Sequence, residues 1–198
     1  TIDKSQMKVA SYTEVGPAKS VLRLREHPMP VVPSGEVLVK VCASGVNPSD
    51  VKRRAGWLNA LMEYPEVVPH SDGAGIIMAV GEKVSEQRLH ERVWLYNGQW
   101  QRSMGTAAEY IALPSQYAVH LHDNVGFLEG ACLGVPACTA YHCVASGGDL
   151  RGQQVLVQGG AGAVGAYAIQ IAVLSGARVI ATCSTKEKAD FALAMGAA

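Results

Sequence analysis

The chain has no charge excess of either sign: 17 basic side chains balance 17 acidic ones among 198 residues. That removes the electrostatic basis for binding nucleic acid or an acidic membrane surface. It has no apolar stretch of membrane-spanning length, since the longest candidate helix is interrupted by Gln170. Its first residues, Thr1 to Met7, hold no apolar run and do not read as a signal peptide. There is no internal repeat and no low-complexity tract. A disulfide framework is also missing. The cysteines, Cys42, Cys132, Cys138, Cys143 and Cys183, are odd in number and scattered through apolar surroundings. They read as reduced core residues of a cytoplasmic protein. What remains is 48% hydrophobic, a globular composition.

Residues 1–126 read as a domain of short strands. Val37, Val39 and Val41 alternate with Glu36, Leu38 and Lys40, the pattern of a half-buried strand after the turn Pro33-Ser34-Gly35. Other strand-like runs are Met7–Tyr12, Val21–Arg25, Gly75–Val80, Arg92–Tyr96 and Ala108–Leu113. Glycine and proline punctuate them, which points to a barrel or sandwich. From Phe127 the pattern changes. Leu128–Ala145, rich in Ala, Cys and Leu, reads as helix with a break at Gly134-Val135-Pro136. Residues 127–198 are therefore assigned to a second, α/β domain, entered through a linker around Gly147–Gly152.

The second domain carries the most specific signal. The strand Gln154–Gln158 runs into Gly159-Gly160-Ala161-Gly162-Ala163-Val164-Gly165, and a helix, Val164–Leu174, leaves it. Gly160, Gly162 and Gly165 fit the dinucleotide fingerprint G-x-G-x-x-G. The first allows a tight turn, the second lets a pyrophosphate approach the backbone, and the third lets the helix pack on the strand. The helix N-terminus offers free N–H groups to phosphate. The helix should bury Val164, Ala168 and Ile171, with Ala172 beside them. Gly176 supplies a C-cap, and a second strand, Arg178–Thr182, completes a βαβ unit.

The tip of that second strand bears on the choice of dinucleotide. A carboxylate about 20 residues beyond the glycines would bind the ribose 2′-hydroxyl of NAD. Here the chain reads Thr182-Cys183-Ser184-Thr185-Lys186-Glu187-Lys188. Hydroxyls and lysines at the tip suit the 2′-phosphate of NADP. Ser184 or Thr185 can serve equally as a helix N-cap, and both roles can hold together. Glu187 is the nearby acid that keeps NAD in play. The chain reaches Ala198 with two strands of a sheet that in a complete doubly wound domain has about six. This sets the expectation of a piece of a longer protein, or of a sheet completed by another subunit.

Taken in order, Gly45-Val46-Asn47-Pro48-Ser49-Asp50, Pro69–Gly75, Val80–Val84, Thr139-Ala140-Tyr141-His142 and Gly160–Gly165 carry a resemblance along nearly the whole chain. The pattern resembles the medium-chain dehydrogenase/reductase superfamily, in its quinone oxidoreductase (zeta-crystallin-like) branch. The resemblance implies a fold of α/β plus β class: a GroES-like β domain followed by part of a Rossmann dinucleotide-binding domain, with a homodimer in the full-length protein. Zinc-dependent members carry Cys, His and Cys where Asn47, Ser71 and Val135 stand here, and His70 occupies the place of a glycine. The three side chains present do not make a catalytic zinc site, so no metal is expected. His90-Glu91-Arg92-Val93 replaces the usual Gly-Asp-Arg-Val. Lys52 stands where an aromatic residue often flanks the nicotinamide, and it could instead contact a cofactor phosphate or a substrate oxygen.

The resemblance implies NADPH as cofactor and hydride transfer to a small-molecule acceptor, a quinone or an α,β-unsaturated carbonyl, without zinc. Asn47 and Thr139 become the candidate catalytic residues beside the nicotinamide. Gly162, Ala163 and Val164 would contact the pyrophosphate through backbone N–H groups, and Gly160, Ala161 and Gly165 complete the cofactor-binding turn. Ser184, Thr185 and Lys188 would hold the 2′-phosphate, and Lys52 is a further cofactor candidate. With no side chain standing out as general acid, solvent would deliver the proton. Plainer roles stay open for several residues. Asn47-Pro48 is an ordinary turn signal, and Thr139 can bond back along its helix. Asp72 and His70 fit turns. His142 fits a satisfied core histidine, and Trp57, Trp94, Trp100 and Tyr96 fit core packing as well as a quinone cleft. Two other readings share the glycine turn: an NADPH-binding redox sensor or crystallin-like protein without turnover, and a truncated form that binds nothing.

Overall fold

A computed structural model describes residues 5–57 and 61–198. Thr1–Lys4, part of the N-terminal reading above, lie outside the described residues. In chain order the elements are β1 (Gln6–Ser11), α1 (Ala18–Val21), β2 (Arg23–Pro28), β3 (Glu36–Gly45), α2 (Pro48–Arg54), β4 (Asp72–Val80) and β5 (Arg92–Leu95). They continue with β6 (Tyr110–Pro114), β7 (Ala118–His120), α3 (Phe127–Gly130), α4 (Gly134–Ala145), β8 (Gln154–Val157), α5 (Ala163–Leu174), β9 (Arg178–Ala181) and α6 (Lys186–Ala194). The chain divides into two compact units, Thr1–Val135 and Pro136–Ala198.

The first unit is built on a five-stranded antiparallel sheet in the order β6-β3-β4-β5-β7, with β1 and β2 as a separate hairpin. The expected strands are present, and alternation explains their main core. Val37 and Val39 of β3 pack with Ile77, Val93, Leu95, Ile111 and Leu113 on one face. Leu38 departs from the half-buried pattern. It is buried on the opposite side with Met7, Val9, Val68 and Tyr110, so β3 is covered on both faces near its start. Val21 closes the helical turn α1, and strand β2 begins only at Arg23. Phe127 belongs to α3 and packs around Ala74, Leu121 and Ala131.

The break expected inside Leu128–Ala145 falls earlier, at residues 131–133, and α4 begins at Gly134. Pro136 thus sits in the first turn, where a missing N–H costs nothing. The cysteines are not core residues. Cys42, Cys132, Cys138 and Cys143 are exposed and Cys183 is half-buried. Cys42 has a physical reason: it is the unpaired extra residue where the β3–β4 register shifts between Val41 and Ala43. His142 is likewise exposed on α4, where it satisfies nothing in a core.

The second unit holds the expected βαβ unit. Strands β8 and β9 pair in parallel from Gln154↔Arg178 to Val157↔Ala181. Helix α5 buries Gly165, Ala168, Ile169 and Ala172, while Val164 is exposed. The buried stripe is therefore rotated by about one residue from the one the apolar spacing suggests. A helix made almost wholly of small and aliphatic residues, with Tyr167 and Gln170 the exceptions, leaves the face undefined until the sheet selects it. Among the described residues, no helix is long and apolar enough to cross a membrane.

Candidate functional site

Each unit contributes a constellation of its own. In the first, Asn47 stands at the junction of β3 and α2 as the extended N-cap residue, followed by Pro48 at the first helical position. Asp50 reaches back and accepts the Asn47 N–H at 2.7 Å. The Asn47 side chain points to a different partner: Nδ2 donates to Asp72 Oδ2 at 2.7 Å. That same oxygen accepts the backbone N–H of Val135 at 2.7 Å. Asp72 is 1% exposed, and Asn47 and Asp50 are 8% exposed. Asp72 opens strand β4 instead of forming a turn, which corrects the local reading of the sequence.

Burial pushes the Asp72 carboxyl up to about 6, against the pull of the Asn47 and Val135 hydrogen bonds, and neighbouring Asp50 adds to the rise. Among the described residues, Asp72 Oδ1 has no hydrogen-bond partner. It lies against Gly134, where a β-carbon would collide with it. Burial also raises Asp50, offset by the Asn47 N–H and by the charges of His70 and Arg53.

A second chain of bonds leads away from Asp72. Thr106 Oγ1 donates to the Asp72 carbonyl. Its oxygen lies 2.8 Å from Ser44 Oγ, which lies 2.9 Å from His70 Nδ1. Because the Thr106 hydrogen is committed to a carbonyl, Ser44 donates to Thr106 and accepts from His70 Nδ1–H. This fixes the neutral tautomer of His70 with the lone pair on Nε2. Burial holds the imidazole below its ordinary value, and Asp50 opposes this. His70 also takes a φ of +80°, a left-handed conformation that suits glycine.

Helix α2 presents Ser49, Lys52 and Arg53, at i, i+3 and i+4, to one wall of a cavity of about 420 Å³. Tyr12, Trp57, Tyr64 and Val67 line other walls. The Lys52 ammonium lies 4.1 Å from the centre of the Trp57 ring. Arg53 Nη1 donates at 2.7 Å to Oε1 of the buried Gln99. Of the aromatic residues that sequence offered for a quinone cleft, Trp57 lines this cavity. Trp94 and Tyr96 pack instead with each other at 5.8 Å, and Tyr96 with Tyr117 at 5.1 Å. Trp100 is 53% exposed.

In the second unit, a groove of about 520 Å³ runs along Gly159, Ala161, Gly162, Thr182, Ser184 and Lys188. The positive φ of the turn falls on Gly159, at +66°, and not on Gly160. A β-carbon on Gly165 would collide with the Gly159 carbonyl, so the third glycine does permit close packing of helix on turn. The Gly162 N–H is spent within the turn, donating to Gly159 O at 2.8 Å. The N–H groups of Ala163, Val164 and Gly165 open α5 and have no intrahelical acceptor. At the strand tip, Lys188 Nζ donates to Ser184 Oγ at 3.0 Å. Thr185 caps α6, its Oγ1 accepting from Lys188 N at 3.3 Å. Thr182 was not a candidate, yet its Oγ1 accepts the Gly159 N–H at 3.0 Å and ties the tip to the turn. Glu187 is exposed and does not line the groove. Thr139 is exposed on α4.

Among the described residues, no three His, Cys, Asp or Glu side chains cluster as a metal site would require. Asn47, Ser71 and Val135 bring an amide, a hydroxyl and an aliphatic chain to the positions considered for zinc, a donor set foreign to that ion.

Comparison with known proteins agrees with this layout. Residues 33–123 match the family model described as the alcohol dehydrogenase GroES-like domain. The chain is 35% identical over 190 residues to a 2-methylene-furan-3-one reductase of Solanum lycopersicum, covering 91% of this chain and 48% of that protein. It is 36% identical over 180 residues to a quinone oxidoreductase of Homo sapiens, covering 89% of this chain and 53% of the relative. A mycobacterial protein solved in complex with NADPH superposes with a TM-score of 0.81 at 31% identity, over 96% of this chain and 56% of that one. The chain spans about half the length of the curated relatives it matches.

Proposed function

Because the chain belongs to the medium-chain dehydrogenase/reductase superfamily, we propose that it is part of an NADPH-dependent oxidoreductase that reduces a quinone or an α,β-unsaturated carbonyl without zinc. The observation that carries this reading is the groove of the second unit. It joins a glycine turn, open helix N–H groups and a lysine–serine pair at the strand tip. A dinucleotide fits it: the turn carries no side chain at Gly159 or Gly162, and the helix end favours anionic phosphate. Ala163, Val164 and Gly165 would hold the pyrophosphate through backbone N–H groups. Ser184 and Lys188 would hold the 2′-phosphate, and Thr185 supports them by starting α6.

The cofactor, when bound, supplies the hydride, and the protein supplies position and electrostatics. Asn47 is the orienting group of the first unit. Its amide is locked by Asp72, which leaves the second amide N–H for a carboxamide or a substrate oxygen. In the second unit, Thr139 offers an exposed hydroxyl as the other candidate catalytic group. Lys52 is placed on the cavity wall, so we assign it to the acceptor rather than to the cofactor. Quinones and enones accept hydride without a strong Lewis acid, which matches the donor set at Asn47, Ser71 and Val135. The proton comes from solvent.

A fluorescence titration of the chain with NADPH and, in parallel, with NADH tests the reading. Saturable binding that prefers NADPH is expected. Equal affinity for the two would remove the 2′-phosphate site, and binding of neither would remove the cofactor assignment for this chain.

A further inference from the structure

The cavity beside α2 has an unusual balance. Its walls are apolar and aromatic, from Tyr12, Trp57, Tyr64 and Val67, yet its helical wall carries two cations, Lys52 and Arg53. Glu63 is the single carboxylate of the lining. Neither cation forms an ion pair with a carboxylate among the described residues, although the Arg53 charge also acts on the buried Asp50 carboxyl. Lys52 lies over the neutral Trp57 ring, and Arg53 donates to the neutral amide of Gln99. Both partners orient a charge without cancelling it. Gln99 is itself buried and anchored, its Nε2 donating to Arg102 O at 3.0 Å, so the Arg53 fork is held from behind. The rest of its guanidinium N–H groups stay available. Trp57 likewise braces Lys52 over an aromatic face.

We propose that this cavity selects an electron acceptor with an anionic substituent: a flat quinone or enone carrying a carboxylate or sulfonate, its ring against the apolar walls and its charge on Lys52 and Arg53. The inference rests on the reductase reading of the chain, and it deepens that reading by naming the acceptor class. The cavity volume suits a bicyclic ring system and lies within the range of small-molecule sites. An apolar wall supplies affinity for the ring. Two cations on the helical wall supply discrimination in favour of the charged analogue.

The test compares menadione with a naphthoquinone sulfonate of the same ring system, by quenching of tryptophan fluorescence. Trp57 lines the cavity, so its replacement in Trp57→Phe must remove most of the quench if the ligand sits there. The sulfonate is expected to bind about tenfold more tightly than menadione, and about 0.5 M salt should erase most of that difference. Lys52→Gln should narrow the preference to about threefold, and Lys52→Arg should restore it. Equal affinity for the two quinones overturns the proposal. So does a preference that survives in both Lys52→Gln and Arg53→Gln, and so does a quench that persists in Trp57→Phe. NADPH oxidation is followed separately. Preferential sulfonate binding without NADPH-dependent reduction of either quinone upholds the anion-selective cavity and removes the reductase reading for this chain by itself. Reduction of menadione with no preference for the sulfonate does the reverse.

Discussion

The side-chain amide of Asn47 donates to Asp72 Oδ2 at 2.7 Å, and both residues are buried. This bond decides what Asn47 can do, because a free amide could rotate and a bonded one cannot. It also makes Asp72 a group whose ionisation the fold opposes. Its carboxyl is pushed up to about 6 from an ordinary 3.8, mainly by burial. Between those two values the folded chain holds a proton that the unfolded chain has released. Stability therefore falls as pH rises from about 4 to 6, by up to about 3 kcal/mol from this group. Asp50, raised by burial too, acts in the same direction. Urea denaturation followed by tryptophan fluorescence checks this, since Trp57, Trp94 and Trp100 all lie in the first unit. Asp72→Asn should flatten the slope over that window. An unchanged slope in the variant sinks the assignment.

His70 occupies a left-handed conformation with φ of +80°, and its ring holds Ser44 at 2.9 Å. The two effects oppose each other. A non-glycine residue there costs about 1 kcal/mol, and one hydrogen bond returns about as much. His70→Gly relieves the backbone and loses the bond, so it should change stability by less than about 1 kcal/mol. His70→Ala loses the bond and keeps the strain, and should be less stable than the glycine variant by about 1 kcal/mol. Denaturation midpoints of the two variants decide the matter. An alanine variant as stable as the glycine one contradicts the account.

What was legible in the sequence was local. The strands of the sheet were visible because β-branched residues recur with period two, and the βαβ unit because a glycine turn separates two apolar runs. Contacts between distant segments were not visible. Asp72 meets Asn47 25 positions away and Val135 63 positions away, and no local pattern links those three. Read alone, Asp72 before glycine is a turn residue. The same limit explains Cys42, whose exposure follows from a bulge set by its partner strand. Thr182 failed to attract notice because a threonine ending a strand is ordinary. Its bond to Gly159 N–H is created by the parallel pairing of β8 with β9. Ser184 and Lys188 were readable because hydroxyls and lysines, with no acid at the tip itself, follow the second strand, where a ribose would be read.

The glycine turn supplies a third prediction. Gly165 packs so closely on Gly159 that a β-carbon would strike its carbonyl. Gly165→Ala must therefore displace either the turn or the start of α5, and the N–H groups proposed to face the phosphates move with it. NADPH affinity should fall about tenfold or more, equivalent to about 1.4 kcal/mol. Ala166→Gly, one position along the helix, loses only helix propensity and should leave the affinity within about threefold. Titration of both variants checks the contrast. If Gly165→Ala binds NADPH like the parent chain, the close approach has no bearing on the cofactor groove.

Lys188 and Ser184 supply the last. Lys188 Nζ lies 3.0 Å from Ser184 Oγ in the groove, and among the described residues neither group is paired with a carboxylate. A 2′-phosphate placed there gains an ammonium and a hydroxyl at once, whereas the 2′-hydroxyl of NADH gains little from either. Lys188→Ala should weaken NADPH by about fivefold to tenfold, the range of a half-exposed charged hydrogen bond, and leave NADH within about twofold. Ser184→Ala should act in the same direction and less strongly, since it removes a neutral donor and frees the ammonium to reorient. Because the lysine term is electrostatic, the gap between parent and Lys188→Ala must shrink as salt rises past a Debye length of about 8 Å. Thr185 is the contrast. Its hydroxyl is committed to the Lys188 backbone as a helix cap, so Thr185→Ala should lower stability by about 1 kcal/mol and affect the two dinucleotides alike. A lysine variant that loses NADPH and NADH equally would mean that Lys188 supports the fold of the strand tip and does not read the phosphate.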